Sequence, residues 1–577
     1  MDYFEKMEDK YMKNNNNLSA KSVSGSFNAV VFQHVVRSFS VAVLLLATST
    51  GCKDYITEKE PGTAMLNTFF TSVEAANQDI IGCYVPLMWE YDDTYCAEWF
   101  IGDIASDDAL KGGGSTGDMA DAYDFENWKT ESTNTLLLCI YRSNYQGIGR
   151  CNLALKYIAQ MDINKVKDFD QTAKDRLMGE AYFLRAYYYF RLVRIFGGVP
   201  LTTTVIDNSS AWACPRSSAK VIYGQILADL DSAQNKLWTV NEVPVEQLGR
   251  ATKGAAQAML MKVHLYLASP YWASARQDGV DHAAQAKAWG DKIIASGDYS
   301  LCTNYWENFS LEGENGPESV FEIQYKEVPW GDYGEGFGYT AGSYTQILTR
   351  SRSSLIGGGW GFNHPTQNLY DEFEENDARR ELTILVPEQE QMENLAEEYY
   401  LGNKNLSFKY GMYLEDPSTG GGYGKWGVHA TRGPLNNKQI RYADVLLMHA
   451  EACLLTGNEG DAINDINEVR ERALMPAVGT DYTFYINGER HTSTQDLTVT
   501  LRHERRMELA MEGHRWFDLV RWGNTKAHMD AYQKRETPEA QAHLATFIEG
   551  KHELFPIPSE EIILNEGLQA SDQNPGY

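Results

Sequence analysis

The densest run of chemically capable side chains is LRHERRMELAMEGHRWFDLVRWG at residues 501–523. Arg502, Arg505, Arg506 and Arg515 alternate there with Glu504, Glu508, Glu512 and Asp518. Acids beside guanidinium groups could bind or cleave a polar substrate. The spacing argues for a structural use, because opposite charges three and four residues apart face one another along a helix. Trp516, Phe517, Leu519 and Trp522 supply that helix with a packing face. The expectation is an ion-pair-laced helix over 495–522. Its Arg–carboxylate bridges, buried or half-buried, lock it to its neighbours.

Other motifs lack the context their chemistry needs. Gly113-Gly114-Ser115-Thr116-Gly117 matches G-x-S-x-G, but a nucleophile elbow needs a buried strand before the serine and a helix after it. The residues before it are DDALKG, so 103–128 reads as loop and the motif as a flexible turn. Gly336-Phe337-Gly338-Tyr339-Thr340-Ala341 matches a loose dinucleotide fingerprint and has no strand before it either. The sequence holds neither H-E-x-x-H nor a Walker loop. Its eight cysteines include no C-x-x-C, and its histidines form no ligand pair at helical spacing. No metal and no cofactor is therefore expected. A glycoside hydrolase needs only two carboxylates at a fixed separation. With 79 acidic residues in the chain, that remains the alternative reading. Asp92, Asp93, Asp103, Asp107 and Asp108 read as turn and cap residues.

The elements around these candidates are mainly helical. At 176–200, RLMGEAYFLRAYYYFRLVRIFGGVP, apolar residues recur at steps of three and four, from Leu177 and Ala181 to Leu192 and Ile195. That pattern predicts a helix buried on most of its girth, ended by Gly197, Gly198 and Pro200. Helices are also predicted at 72–91 (capped by Ser72), 133–161, 218–237, 251–269 and 281–296. A pair over 438–474 breaks at Gly457 and Asn458. Short helices joined by tight turns resemble tetratricopeptide units, with degenerate periodicity. From 297 to 437 the character changes to glycine clusters, aromatics and short β-like runs such as SVFEIQY. The fold class is mainly α: a tetratricopeptide-like hairpin scaffold with an irregular, loop-rich subdomain containing short strands.

The formal net charge of −28 argues against nucleic acid, whose binders need a basic footprint. Residues 41–47, VAVLLLA, are too short to span a bilayer. They follow a basic region and precede small residues and Cys52, the order of a secretory lipoprotein signal. Residues 1–51 read as that signal, with Cys52 lipidated and 52–68 a tether. Ser49 stands where the usual lipobox has Leu.

Several blocks, in order, resemble the SusD/RagB family of outer-membrane nutrient-uptake lipoproteins. They are GCKDYITEKEPG at 51–62, GEAYFLRAYYYFRLVRIFGGVPL at 179–201, RYADVLLMHAEA at 441–452, RHERRMELAMEGHRWFDLVRWG at 502–523 and IILNEGLQASDQNPGY at 562–577. The resemblance implies an N-terminal helical region at 69–296. It implies a C-terminal region at 297–577, with the loop-rich insert at 297–437 and closing helices at 438–522. It also implies anchoring through Cys52 to the outer-membrane lipid, facing outward, and a SusC-like TonB-dependent transporter as partner. The role is capture of an oligosaccharide or polysaccharide without chemistry on it. A scaffold that binds nothing is a further alternative.

The family blocks lie in helices and transfer no binding residue. Sugars present apolar C–H faces and many hydroxyls, which suits Trp and Tyr platforms beside a few polar groups. The candidate ligand-binding residues are therefore the loop aromatics Trp89, Tyr95, Trp99, Trp330, Tyr333, Tyr339 and Trp360. At least two of them are expected in one exposed cluster.

Overall fold

The computed structural model describes residues 69–90, 97–206, 213–326, 342–352, 358–386, 399–411 and 433–577. The predicted leader, Cys52 and the tether lie outside the described residues.

The helical scaffold begins with α1 (Val73–Tyr84), whose Ser72 cap accepts from the Ala75 amide at 3.1 Å. It continues with α2 (Thr135–Gln160), α3 (Gln171–Phe196), α4 (Ala219–Lys236), α5 (Lys253–Ala268) and α6 (His282–Ser296). The predicted pair at 438–474 forms α7 (Tyr442–Leu455) and α8 (Glu459–Arg472), separated by the expected break. Helix α3 packs on both α2 and α4, α5 on α4 and α6, α6 on α7, and α7 on α8. This is the stacked-hairpin, tetratricopeptide-like arrangement read from the periodicity.

Helix α3 is buried on nearly its whole circumference from Gly179 onward, its arginines included. Those charges are tolerable inside because each meets a carboxylate. Arg185 grips Asp229 of α4 with two bonds, at 2.8 and 2.7 Å. Arg191 and Arg194 share Glu98 at 2.9 and 3.0 Å. The helices also approach closely: a Cβ on Gly147 of α2 would lie 2.3 Å from the Tyr188 ring.

The strands form two-stranded antiparallel pairs. β1 (Ala109–Gly112) pairs with β3 (Phe362–Pro365), and β2 (Ser319–Ile323), within the run SVFEIQY, pairs with β4 (Asn437–Arg441). β5 (Thr483–Ile486) and β6 (Glu489–Thr492) make a hairpin. One dominant hydrophobic cluster runs from Ala76 to Ile557, so both predicted regions contribute to it.

Two expectations need correction. The stretch 103–128 is not simple loop: it holds β1 and a helix at Ala120–Glu126, and residues 103–113 are buried. The predicted helix over 495–522 is two helices, α9 (Leu497–Leu509) and α10 (Arg515–Trp522). Between them Met511 and Gly513 take left-handed φ values of 63° and 77°, which an α-helix cannot contain. The segment 97–108, with a short helix at Trp99–Gly102, fills that break. A Cβ on Gly102 would sit 2.0 Å from the Gly513 carbonyl oxygen.

The bridges of α9 and α10 reach outward to other elements more than along the helix, as far as Asp107, Glu374 and Arg441. Arg441 holds Glu318, Glu508 and Glu512, the last at 2.8 Å; Arg379 holds Glu504 at 2.6 Å. Arg470 links Glu504 to Glu374. The only i,i+3 or i,i+4 bridge within α9 or α10 among the described residues is Asp518–Arg521. Asp103, Asp107 and Asp108 are likewise buried carboxyl groups with remote partners, not turn caps. Asp107 meets Arg515 at 2.7 Å and Arg506 at 3.0 Å, and Asp108 meets Arg506 at 2.9 Å. The Asp103 carboxylate accepts from the Gly513 amide at 2.8 Å.

Candidate functional site

Of the aromatics singled out in the sequence, Tyr95, Trp330, Tyr333 and Tyr339 lie outside the described residues. Trp89 and Trp99 are in the core, 2% and 4% exposed, which removes them as stacking surfaces. The Trp99 indole donates to Thr345 Oγ1 at 3.2 Å and its ring stacks on Phe100 at 3.9 Å between centroids. Trp89 lies beneath Arg150, whose guanidinium is 5.6 Å from its ring. Trp360 differs: it is half-buried, packed on the core from one side.

The backbone that presents Trp360 is fixed from several directions. Glu90 accepts from the Ser343 hydroxyl and the Tyr344 and Thr345 amides at 2.7–3.0 Å, pinning the entry to a short helix at Thr345–Thr349. From there the chain folds back: the Trp360 amide donates to the Ile347 carbonyl at 2.7 Å and Gly361 to Arg350 at 2.8 Å. β3 then pairs with β1, placing Gly112 opposite Phe362. The two glycine-bearing loops nearly touch. A Cβ on Gly112 would lie 2.3 Å from the Gly361 oxygen, and Gly112 has φ +79°. Only glycine meets both demands.

Polar groups lie beside the Trp360 backbone. Arg352 Nη1 lies 3.4 Å from Asp118 Oδ2 and 3.5 Å from the Trp360 carbonyl oxygen. Asp118 also accepts from the Gly114 amide at 2.8 Å. Below them Lys111 is buried, its ammonium on the Ser115 carbonyl at 2.7 Å and 4.8 Å from the Tyr400 ring. Burial pulls that ammonium down to about 8. The rim thus offers an aromatic face, a guanidinium, a carboxylate and glycine backbone, suited to a flat polyhydroxylated ligand.

The G-x-S-x-G turn belongs to this rim. A buried strand, β1, does precede it, contrary to expectation, and a helix follows. The strand belongs to a two-stranded antiparallel pair, not the core of a parallel sheet, and Ser115 is exposed. Two of the carboxyl groups with raised values lie in the interior. Burial pushes Asp103 up to about 8 and Glu126 up to about 7. Both are held by backbone amides and fully enclosed, where no substrate reaches them.

A second cleft, of about 320 Å³, lies between α9, α10 and the β5–β6 hairpin. Arg502 sits there 4.5 Å from the Trp522 ring. It forms no ion pair among the described residues, unlike the bridge the sequence suggested. Its place between Trp522 and the hairpin depends on long-range packing that no local spacing signals. His449 and Cys453, one helical turn apart, converge with Asp465, a grouping the sequence reading did not single out. That signal was present in the sequence at i,i+4, but it pairs unlike residue types.

Comparison with known proteins matches this fold over most of its length. Residues 317–577 match the model described as SusD family, and 54–265 match one described as starch-binding associating with outer membrane. SusD-like protein P2 of Formosa agariphila is 25% identical over 549 residues, covering 93% of this chain and 98% of that protein. Starch-binding protein SusD of Bacteroides thetaiotaomicron is 24% identical over 445 residues, covering 70% of this chain and 73% of its own length. A solved laminarin-binding SusD-like protein superposes with a TM-score of 0.69 at 26% identity, covering 87% of this chain and 99% of that one. With both halves matched in order on a shared helical fold, the chain belongs to the SusD/RagB family.

Proposed function

We propose that this protein captures an oligosaccharide or polysaccharide at the outer membrane and performs no chemistry on it. The observation that carries the reading is the half-buried Trp360 within a glycine loop, with the half-exposed Arg352–Asp118 pair beside its backbone. An indole face stacks on a sugar ring while the charged pair takes its hydroxyls. Glycan binding by similar proteins supports the class of ligand. Tyr95, Trp330, Tyr333 and Tyr339 extend the proposal on sequence grounds. The lipidated Cys52 holds the protein on the outer face of the membrane, and a SusC-like TonB-dependent transporter receives the glycan.

A polysaccharide affinity screen on the mature chain, with product analysis, tests this. Retention on one glycan with no released product is expected, and Trp360→Ala abolishes or sharply weakens retention. Release of shortened sugars would replace the reading with a hydrolase. Retention indifferent to Trp360 would move the site elsewhere.

A further inference from the structure

The cleft of about 320 Å³ between α9, α10 and the β5–β6 hairpin holds a cation that capture at Trp360 does not use. Arg502 is half-buried on α9, and its guanidinium lies over the Trp522 ring, 4.5 Å from the centre. That contact holds the group in place without supplying an acceptor for its N–H fork. Among the described residues the fork has no hydrogen bond and no ion pair. Its neighbours on the same two helices differ: Arg505, Arg506, Arg515 and Arg521 each hold a carboxylate.

The carboxylates near Arg502 are already taken. Arg521 binds both oxygens of Glu451 at 2.6 Å, and the Trp522 indole donates to the same group at 3.0 Å. Asp496 caps α9, accepting from the Thr498 and Val499 amides at 2.9 and 3.2 Å. Burial lowers the Arg502 pKa, Glu451 opposes, and nearby Arg521 and Arg515 lower it further, as for a cation short of counter-charge. The other charged groups of the lining are paired. Arg515 and His528 meet Asp107 at 2.7 and 2.6 Å, and His503 lies 3.3 Å from Glu372 and 3.1 Å from Glu374. Glu372 also binds Arg506. Three groups besides Arg502 line the cleft without a side-chain partner among the described residues: the His491 imidazole, the Asn524 amide and the exposed Glu489 carboxylate. Ile486, Val499, Leu519, Ala527 and Ala531 make the walls apolar.

We propose that this cleft binds the carboxylate of a small ring-bearing acid through Arg502, with His491 and Asn524 beside it. A planar carboxylate matches the guanidinium fork with two parallel bonds, and aliphatic walls suit the ring that carries it. A free acid and an acidic sugar offer the same group. Glu489 is the one feature of the lining that opposes an anion, and it stands at the exposed edge. The cleft shares no lining residue with the Trp360 rim, so the proposal stands apart from glycan capture there.

Calorimetry on the mature chain at low salt compares glucuronate, cyclohexanecarboxylate and glucose. At least one acid should bind about 10-fold or more tighter than glucose, the value of a charge-assisted bond. Glucuronate alone identifies an acidic sugar as the source, cyclohexanecarboxylate alone an apolar acid, and equal binding means that the carboxylate suffices. Arg502→Gln weakens the binding about 10–100-fold, and Glu489→Gln tightens it by removing a like charge. Lys220→Gln, in an exposed pair with Asp278 on the scaffold, changes the net charge equally and leaves binding as it was. Thermal unfolding checks that each variant is folded. Should Arg502→Gln misfold, Arg502→Lys, which keeps the charge and loses the fork, carries the test with a loss of about 3–10-fold. No acid bound, glucose bound as tightly, binding indifferent to Arg502, or an equal loss in Lys220→Gln overturns the proposal.

Discussion

Arg506 with Asp108 and Arg352 with Asp118 are the same two residue types in opposite surroundings. The first pair is 2.9 Å apart with both side chains enclosed; the second is 3.4 Å apart with 43% and 40% of the side chains exposed. Arg506 has its remaining donors on Asn368, Glu372 and the Asp107 carbonyl, so nothing is left to offer a ligand. Arg352 has a long contact to Asp118 and another to a carbonyl, both replaceable by sugar hydroxyls. The chemistry of a side chain is set by its type, and its availability by what surrounds it. The block at 502–523 therefore builds the molecule, and contact with the proposed ligand falls to the less patterned loops.

The comparison breaks most visibly at the buried end. Arg441→Met takes their shared cation from Glu318, Glu508 and Glu512, which keep only Arg472, Arg379 and Lys409 as ion-pair partners among the described residues. A loss of about 3–5 kcal/mol is expected in urea unfolding; a loss under ~1 kcal/mol would mean the network is dispensable. Trp99→Ala, by emptying a core site, costs a similar ~3–5 kcal/mol, which thermal unfolding checks.

Acid probes the same network. Although burial would raise them, Arg506 and His503 hold Glu372 at about 2, and His503 and Arg470 hold Glu374 at about 2. Their folded values lie below the ordinary 4.5. The stability they contribute is therefore complete above about pH 4.5 and is lost as pH falls toward about 2. Unfolding free energy measured across that window should decline by on the order of 3 kcal/mol for each group. A flat profile there would deny that these carboxylates are ionised and paired.

At the rim the order reverses, with binding affected more than folding. Trp360→Ala should weaken glycan affinity about 10-fold by calorimetry, the value of one aromatic contact, with little change in Tm. Arg352→Ala has the smallest effect, about 3-fold on affinity for a lost hydrogen-bonder, and within ~0.5 kcal/mol on stability because its ion pair is exposed. If Arg352→Ala destabilises more than Arg441→Met, the contrast between the two regions is wrong.

Helices were legible where periodicity and end signals agreed, as for α1 with Ser72 and α7–α8 with their Gly457 break. The division of α9 from α10 was not, because one glycine in MEGH does not by itself end a helix, and the left-handed turn at Met511 and Gly513 follows from a segment packed some 400 residues earlier in the chain. Asp103, Asp107 and Asp108 read as turn residues because their partners, Gly513 for the first and Arg506 and Arg515 for the others, are equally remote. Trp89, Trp99 and Trp360 look alike in sequence, each an indole in or at the edge of a stretch read as loop. What separates them is the depth at which Glu90 and Thr345 hold the surrounding segments, a property of the assembled core.

The pairing of Asp103, Asp107 and Asp108 with Gly513, Arg515, Arg506 and His528 spans sequence separations of 398 to 421 residues. Loop closure on that scale is slow, and contacts of such range form late. Until the last fifth of the chain is available, the carboxylates at 103–108 lack their counter-charges and the segment has no reason to leave water. Folding of the first half should thus be incomplete on its own, and a refolding time course should show the 97–113 amides gaining hydrogen-exchange protection together with those of α9 and α10, after the amides of α2 and α3.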